Sequence, residues 1–213
     1  MRKAFTLIEL LVVIVIVAIL AAILFPVFAQ AKRAAKDSVT ISNVKQLGIG
    51  FAMYEGDNED VIPPTIHSVG GQGTVGGWVY LTALNADPSR FDVSKGVVYP
   101  YVKNVEVYKS PLDKNAALSG LSFAYNGCLT TTPGASGVLP GKFATAIDAP
   151  ATTMNLGEED NQDDGYFSPG NVFANWHTAG TAIMFVDTHA KIVKARSRYN
   201  ELVYGNASLN ACP

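Results

Sequence analysis

Residues Leu10 to Ala29 form a run of 20 with no charged side chain, and Pro26 is its one member outside the apolar set. As a helix, such a run spans about 30 Å, the thickness of a bilayer's hydrocarbon core. No second run of this kind occurs in the sequence, which argues against a polytopic transporter. Charged residues make up 16% of the chain, well below the roughly 25% of an ordinary soluble domain. A soluble cytosolic enzyme is therefore disfavoured. Two tryptophans, nine tyrosines and ten phenylalanines are enough to bury a core, so a disordered tail is excluded. Net charge is −2, which offers no broad basic face for duplex nucleic acid.

The chain begins Met1-Arg2-Lys3-Ala4-Phe5-Thr6-Leu7-Ile8-Glu9, and two readings compete. In the first, Arg2 and Lys3 are the basic end of a secretory signal, and Ala29-Gln30-Ala31 is a small-x-small site with cleavage after Ala31. The domain beyond it would be a secreted periplasmic binding protein. The second reading turns on Glu9, which sits among Leu7, Ile8, Leu10 and Leu11. An ionised carboxylate in a membrane helix costs about 3 kcal/mol, and a plain signal peptide has no use for it. A cut just before Phe5 would make an amino group one helical turn from Glu9, and that group is the expected partner.

Ala4-Phe5-Thr6-Leu7-Ile8-Glu9 resembles the processing site of type IV pilins and type II secretion pseudopilins. The resemblance implies cleavage between Ala4 and Phe5 by prepilin peptidase, then N-methylation of Phe5. It places Glu9 on the family's glutamate, which pairs with a neighbouring subunit's terminal amine, and Pro26 where many members kink the helix. The family usually has glycine before the cut, where this chain has Ala4. Implied partners are identical or related pilin subunits, the peptidase/N-methyltransferase, an assembly ATPase, inner-membrane platform proteins, and membrane lipid before assembly. The implied location is the inner membrane, single pass, with the carboxy-terminal domain extracytoplasmic, and later the filament. Such a subunit is not an enzyme. Basic residues flank the run on both sides, Arg2 and Lys3 before and Lys32, Arg33 and Lys36 after, so charge alone does not orient it.

Beyond Pro26 the helix is expected to continue. Val44, Leu47, Phe51 and Tyr54 recur at spacings that make one helical face, while Gly48 and Gly50 weaken the last turns by about 1 kcal/mol each. Gly56 and Asp57 are expected to stop it. Residues 56–77 and 130–142 read as loops rich in glycine and proline. Short strands are expected at Leu121 to Tyr125, Phe143 to Ile147 and Thr152 to Leu156, and Trp78 to Leu84 as a short helix or strand. Thr181 to Asp187 is the best strand, with His189 to Ala195 as its partner. The expected fold is α+β: a long hydrophobic helix packed on a small antiparallel sheet domain with long loops, pilin-like in outline. The divisions are a leader (1–4), a transmembrane or filament-core helix (5–29), its amphipathic continuation (30–55) and a globular domain (56–213).

A second resemblance lies at the far end. His177 and Asp187 stand in an H-x9-D spacing, similar to the H-x9-DG signature of bacterial pilin-like proteins called processing-associated. Phe25-Pro26-Val27-Phe28-Ala29-Gln30-Ala31, Asn43-Val44-Lys45-Gln46-Leu47-Gly48 and Tyr99-Pro100-Tyr101-Val102-Lys103-Asn104 agree with it. Thr188 stands where that group has glycine, and Ser110 where it often has cysteine. A D-G pair makes a tight hairpin in which glycine accepts positive φ. Thr188 is β-branched and resists that geometry, so another turn type or a shifted turn is expected. His177 and Asp187 are expected to bond to each other, tying a loop to the hairpin.

Chemical sites are few. Asp187 and His189 share a strand face and could meet His177 at a metal, but no H-E-x-x-H or G-x-S-x-G occurs. The acidic run Glu158 to Gly165 offers hard oxygens, with Glu159, Asp160, Asp163 and Asp164 as candidate ligands for Ca²⁺. Its spacing is not that of an EF-hand, and the plainer expectation is a solvated acidic loop. Cys128 and Cys212 either pair in one disulfide or stand as separate thiols.

Overall fold

The computed structural model describes residues 6–67, 76–82, 91–131, 137–160, 165–167 and 172–194. The chain divides into two compact units, residues 1–38 and 39–213. Helix α1 (Leu7–Asp57) begins in the first and ends in the second.

In the first unit the described chain is Thr6 followed by α1 from Leu7 onward. The helix runs unbroken through Pro26, although proline has no N–H to give to the Ala22 carbonyl. From Leu7 to Phe28 the large apolar side chains are exposed. Among the described residues, α1 is the one helix long and apolar enough to cross a membrane.

In the second unit α1 becomes amphipathic. Thr40, Val44, Leu47, Gly48, Gly50 and Phe51 are buried, at the three- and four-residue spacing of a single helical face. Tyr54 sits half-buried at the end of that stripe, edge-on to Tyr101. Thr40 Oγ1 lies 3.2 Å from Ser110 Oγ, and Asn43 Nδ2 donates to the Lys109 carbonyl at 3.0 Å. These bonds fix the rotation of the helix on the domain, and Ser110 does so from the position where the resemblance has cysteine.

The remaining strands are β1 (Thr65–His67), β2 (Tyr80–Leu81), β3 (Phe91–Asp92), β4 (Phe123–Asn126), β5 (Gly137–Leu139), β6 (Met154–Glu158), β7 (Tyr166–Phe167), β8 (Thr181–Phe185) and β9 (Ala190–Val193). Five of them form the main sheet in the order β7-β4-β6-β8-β9, antiparallel except for the parallel β4–β7 pair. Side chains alternate between its two faces. Phe123, Tyr125, Ala182 and Met184 join the cluster that holds Val44, Leu47 and Phe51 of α1. Ala124, Ile183 and Phe185 join a second cluster with Cys128, Phe167 and Phe173. Met154 and Leu156 have the same parity yet belong to different clusters. The β6–β8 register shifts between them, and such a bulge turns the strand by one residue. The architecture is α+β, as the sequence implies.

Several local expectations are corrected. Residues 56–77 and 130–142 are not wholly loop. β1 pairs with β5, and the Val61–Phe143 bridge keeps the same register. The ladder is interrupted where Pro63 and Pro64 supply no N–H, which hides it from a reading of alternation. Phe143 to Ile147 is not a strand: after the bridge at Phe143 it coils into one 3₁₀ turn, Ala144–Ala146. Residues 99–102 make a short helix, α2 (Tyr99–Val102), and 105–108 a 3₁₀ turn begun by Asn104, whose side chain accepts from Glu106 N.

Candidate functional site

At the head of α1 the geometry is local. Thr6 N and Thr6 Oγ1 donate to Glu9 Oε2 at 2.9 and 2.7 Å, and Glu9 N donates back to Thr6 Oγ1 at 3.3 Å. This is a capping box, in which two amide N–H groups that a helix start leaves over are bonded reciprocally. The carboxylate also stands at the positive end of the helix dipole. Thr6 is thus a partner of Glu9 within the same helix start, legible from the T-x-x-E spacing. The amino group expected at Phe5 lies outside the described residues, as do Ala4 and Phe5 with the cleavage and methylation expected there. Pro26 is exposed within the helix.

At the other end of the chain, His177 and Gly180 exchange backbone bonds of 3.2 and 3.3 Å across Thr178 and Ala179. Gly180 takes φ 135°, and a Cβ there would fall 2.0 Å from the Val193 carbonyl oxygen, so only glycine fits. The turn brings the His177 ring to the end of β6. Its Nε2 lies 2.9 Å from Glu158 Oε2 and 3.1 Å from Oε1. Glu158 Oε2 also accepts from Ala182 N at 2.8 Å. Both side chains are fully enclosed, so the carboxylate is held by an imidazole and a backbone amide in place of water.

The bond expected between His177 and Asp187 is therefore corrected. Asp187 bonds its own neighbour two residues on, accepting from His189 Nδ1 and His189 N. The His189 ring lies flat on Phe185 with centroids 4.3 Å apart. Each half of the H-x9-D spacing has its own partner because the two residues stand at opposite ends of β8, and five residues of strand separate the ends by about 17 Å. Glu158, the partner of His177, is not a residue the H-x9-D spacing points to: it closes β6, two residues beyond the strand expected at Thr152 to Leu156.

The hairpin turn is corrected as well. Thr188 N donates to the Phe185 carbonyl and Phe185 N to the His189 carbonyl, both at 2.9 Å. The loop is thus three residues, Val186, Asp187 and Thr188, and its last position calls for a left-handed residue. Thr188 takes φ 69° there. Its β-branch did not shift the turn.

The acidic run does not begin as a solvated loop. Glu158 and Glu159 are buried and Asp160 is exposed. Glu159 bridges Phe173, and Asp160 N donates to the Val172 carbonyl at 3.0 Å. Asp163 and Asp164 lie outside the described residues. Among the described residues no three His, Cys, Asp or Glu side chains gather as a metal group. Cys128 is buried and disulfide-bonded, and Cys212 lies outside the described residues.

No curated protein and no solved structure matches the chain. Residues 1–25 match the family model described as the prokaryotic N-terminal methylation motif, which supports a pilin or pseudopilin character for this chain.

Proposed function

We propose that the chain is the precursor of a structural subunit of a filament, of the type IV pilus or type II secretion pseudopilus kind. It is inserted as a single span with its carboxy-terminal domain outside the cytoplasm, cut between Ala4 and Phe5 by prepilin peptidase, and methylated on Phe5. An assembly ATPase and inner-membrane platform proteins then draw it from the bilayer. What carries the reading is one conjunction: a methylation motif at residues 1–25 heading a helix whose apolar side chains are exposed.

The work of such a subunit is assembly, not catalysis. In the membrane the Leu10–Ala29 surface is solvated by lipid, and in the filament it is buried against neighbouring helices. Lipid tails are as apolar as leucine, so the exchange is close to neutral in hydrophobic terms. Register must then come from polar groups. Glu9 is the one acidic residue in the first 36 positions. Misplaced among apolar helices without a cation, it costs several kcal/mol. Pairing with an adjacent subunit's terminal amine sets the register, while Thr6 holds the carboxylate at the helix start. In the globular unit, the disulfide at Cys128 is assigned to Cys212, as an exported domain permits.

Mass spectrometry of the mature protein tests this. An amino terminus at N-methyl-Phe5 is the expected result. A terminus at Lys32 would instead identify a secreted domain cleaved after Ala31.

A further inference from the structure

At the carboxy-terminal end of α1 one oxygen of a half-buried carboxyl group is closed in without a hydrogen-bond partner. Glu55 follows Phe51 by four residues and so lies on the same helical face. Phe51 stacks on Tyr125 of β4 with centroids 6.0 Å apart, and Tyr125 is completely buried. Among the described residues, neither Glu55 Oε1 nor the Tyr125 hydroxyl has a hydrogen-bond partner. Burial above all, and then the Glu55 charge, hold the Tyr125 hydroxyl well above its ordinary pKa. The titratable groups that act electrostatically with this carboxyl are Asp60, from the turn that follows, and Tyr125, from β4; neither is a cation.

The same turn carries a structural load. Asn58 N and Asp60 N donate to the Glu55 carbonyl at 3.1 and 3.0 Å. Glu59 and Asp60 both take positive φ, 54° and 65°, which costs L residues about 1 kcal/mol each. Asp60 then grips the 3₁₀ turn at Ala144–Ala146: its carbonyl accepts from Ala144 N at 2.8 Å and its Oδ2 from Thr145 N at 3.2 Å. The exposed Phe143 sits just before that grip.

We propose that Glu55 and Asp60 form a proton-sensitive clasp, in which a neutral Glu55 lets the α1 exit turn hold residues 143–145 and a charged Glu55 loosens it. The charged form is opposed by Asp60, by the negative end of the helix dipole and by its own burial. Burial first and the Asp60 charge second push the Glu55 carboxyl up from 4.5 to about 7. The folded chain keeps a proton that the unfolded chain releases earlier, so the stabilisation is present at acid pH. It is lost as pH rises towards about 7.

Hydrogen exchange of the full chain in detergent, read by mass spectrometry and corrected for intrinsic rates, tests the clasp. Between about pH 5.5 and about pH 8.5, protection over residues 55–62 and 142–147 is expected to fall about tenfold more than over β4. Glu55→Gln is expected to abolish that difference. Equal protection at both pH values in the wild type, or a fall that persists in Glu55→Gln, overturns the proposal. Should that variant fail to fold, carboxyl ¹³C titration of the wild type decides. A Glu55 midpoint above about 6 supports the clasp and a lower one overturns it.

Discussion

Thr188 packs directly against Gly48 of α1. A Cβ placed on Gly48 would lie 3.0 Å from the Thr188 carbonyl oxygen, 3.2 Å from Thr188 Cβ and 3.0 Å from Met184 Sδ. Helix and hairpin meet there so tightly that a methyl group would have to push its neighbours aside by a few tenths of an ångström. Gly48→Ala is expected to destabilise the domain by about 1 kcal/mol, although alanine is the better helix former. Thr188→Gly removes a left-handed β-branched residue and is expected to raise the melting temperature by about 2–4 °C. Since the two share one contact, the double variant should depart from additivity by at least about 0.5 kcal/mol. Thermal unfolding followed by near-ultraviolet circular dichroism measures all three, and strict additivity would count against the contact.

Gly50 and Gly56 lie on one helix and should respond in opposite directions. A Cβ on Gly50 would stand 2.5 Å from Val102 Cγ2, while one on Gly56 meets nothing within 4 Å. Gly50→Ala is expected to cost about 1–3 kcal/mol by overpacking against α2. Gly56→Ala should stabilise by about 0.5–1 kcal/mol. The same unfolding assay separates them, and a shift of the same sign in both would remove the packing explanation.

The Glu158–His177 pair is enclosed, so removing one partner takes a bond from a buried group that water does not replace. Glu158→Ala also strips Ala182 N of its acceptor. A loss of about 3 kcal/mol is expected. Glu158→Gln keeps an oxygen for Ala182 N and should cost about half as much. Denaturant midpoints compare the two, and equal losses would mean that the acceptor oxygen contributes nothing.

For assembly, Glu9→Ala is expected to yield a correctly cut and methylated chain that enters few filaments. The mature amino terminus is read by mass spectrometry and filament yield by shearing and electron microscopy. A normal filament yield from that variant would detach Glu9 from register. Thr6→Ala, which removes one of the two donors to Glu9 and the acceptor for Glu9 N, should lower the yield less.

By itself the sequence determined what depends on near neighbours along the chain. The Leu10–Ala29 run specified an apolar helix by length and composition, and the Val44–Leu47–Phe51 stripe specified the face it buries, because helical periodicity is a local property. The T-x-x-E spacing at Thr6 and Glu9 is local too, and so is the strand at Thr181–Phe185. Tertiary structure alone decided whatever joins distant segments. Strand register and the turn at Gly180 give His177 to Glu158, 19 positions away, and leave Asp187 to His189. Gly48 and Gly50 read as weak helix formers, yet the hairpin packs against the first and α2 against the second. Thr188 is left-handed against its own preference, because the strand pairing on either side of a three-residue loop outweighs about 1–2 kcal/mol of local strain. Glu55 reads as an ordinary polar residue at a helix end. Only the fold puts Tyr125 and Asp60 around it and gives its proton a consequence.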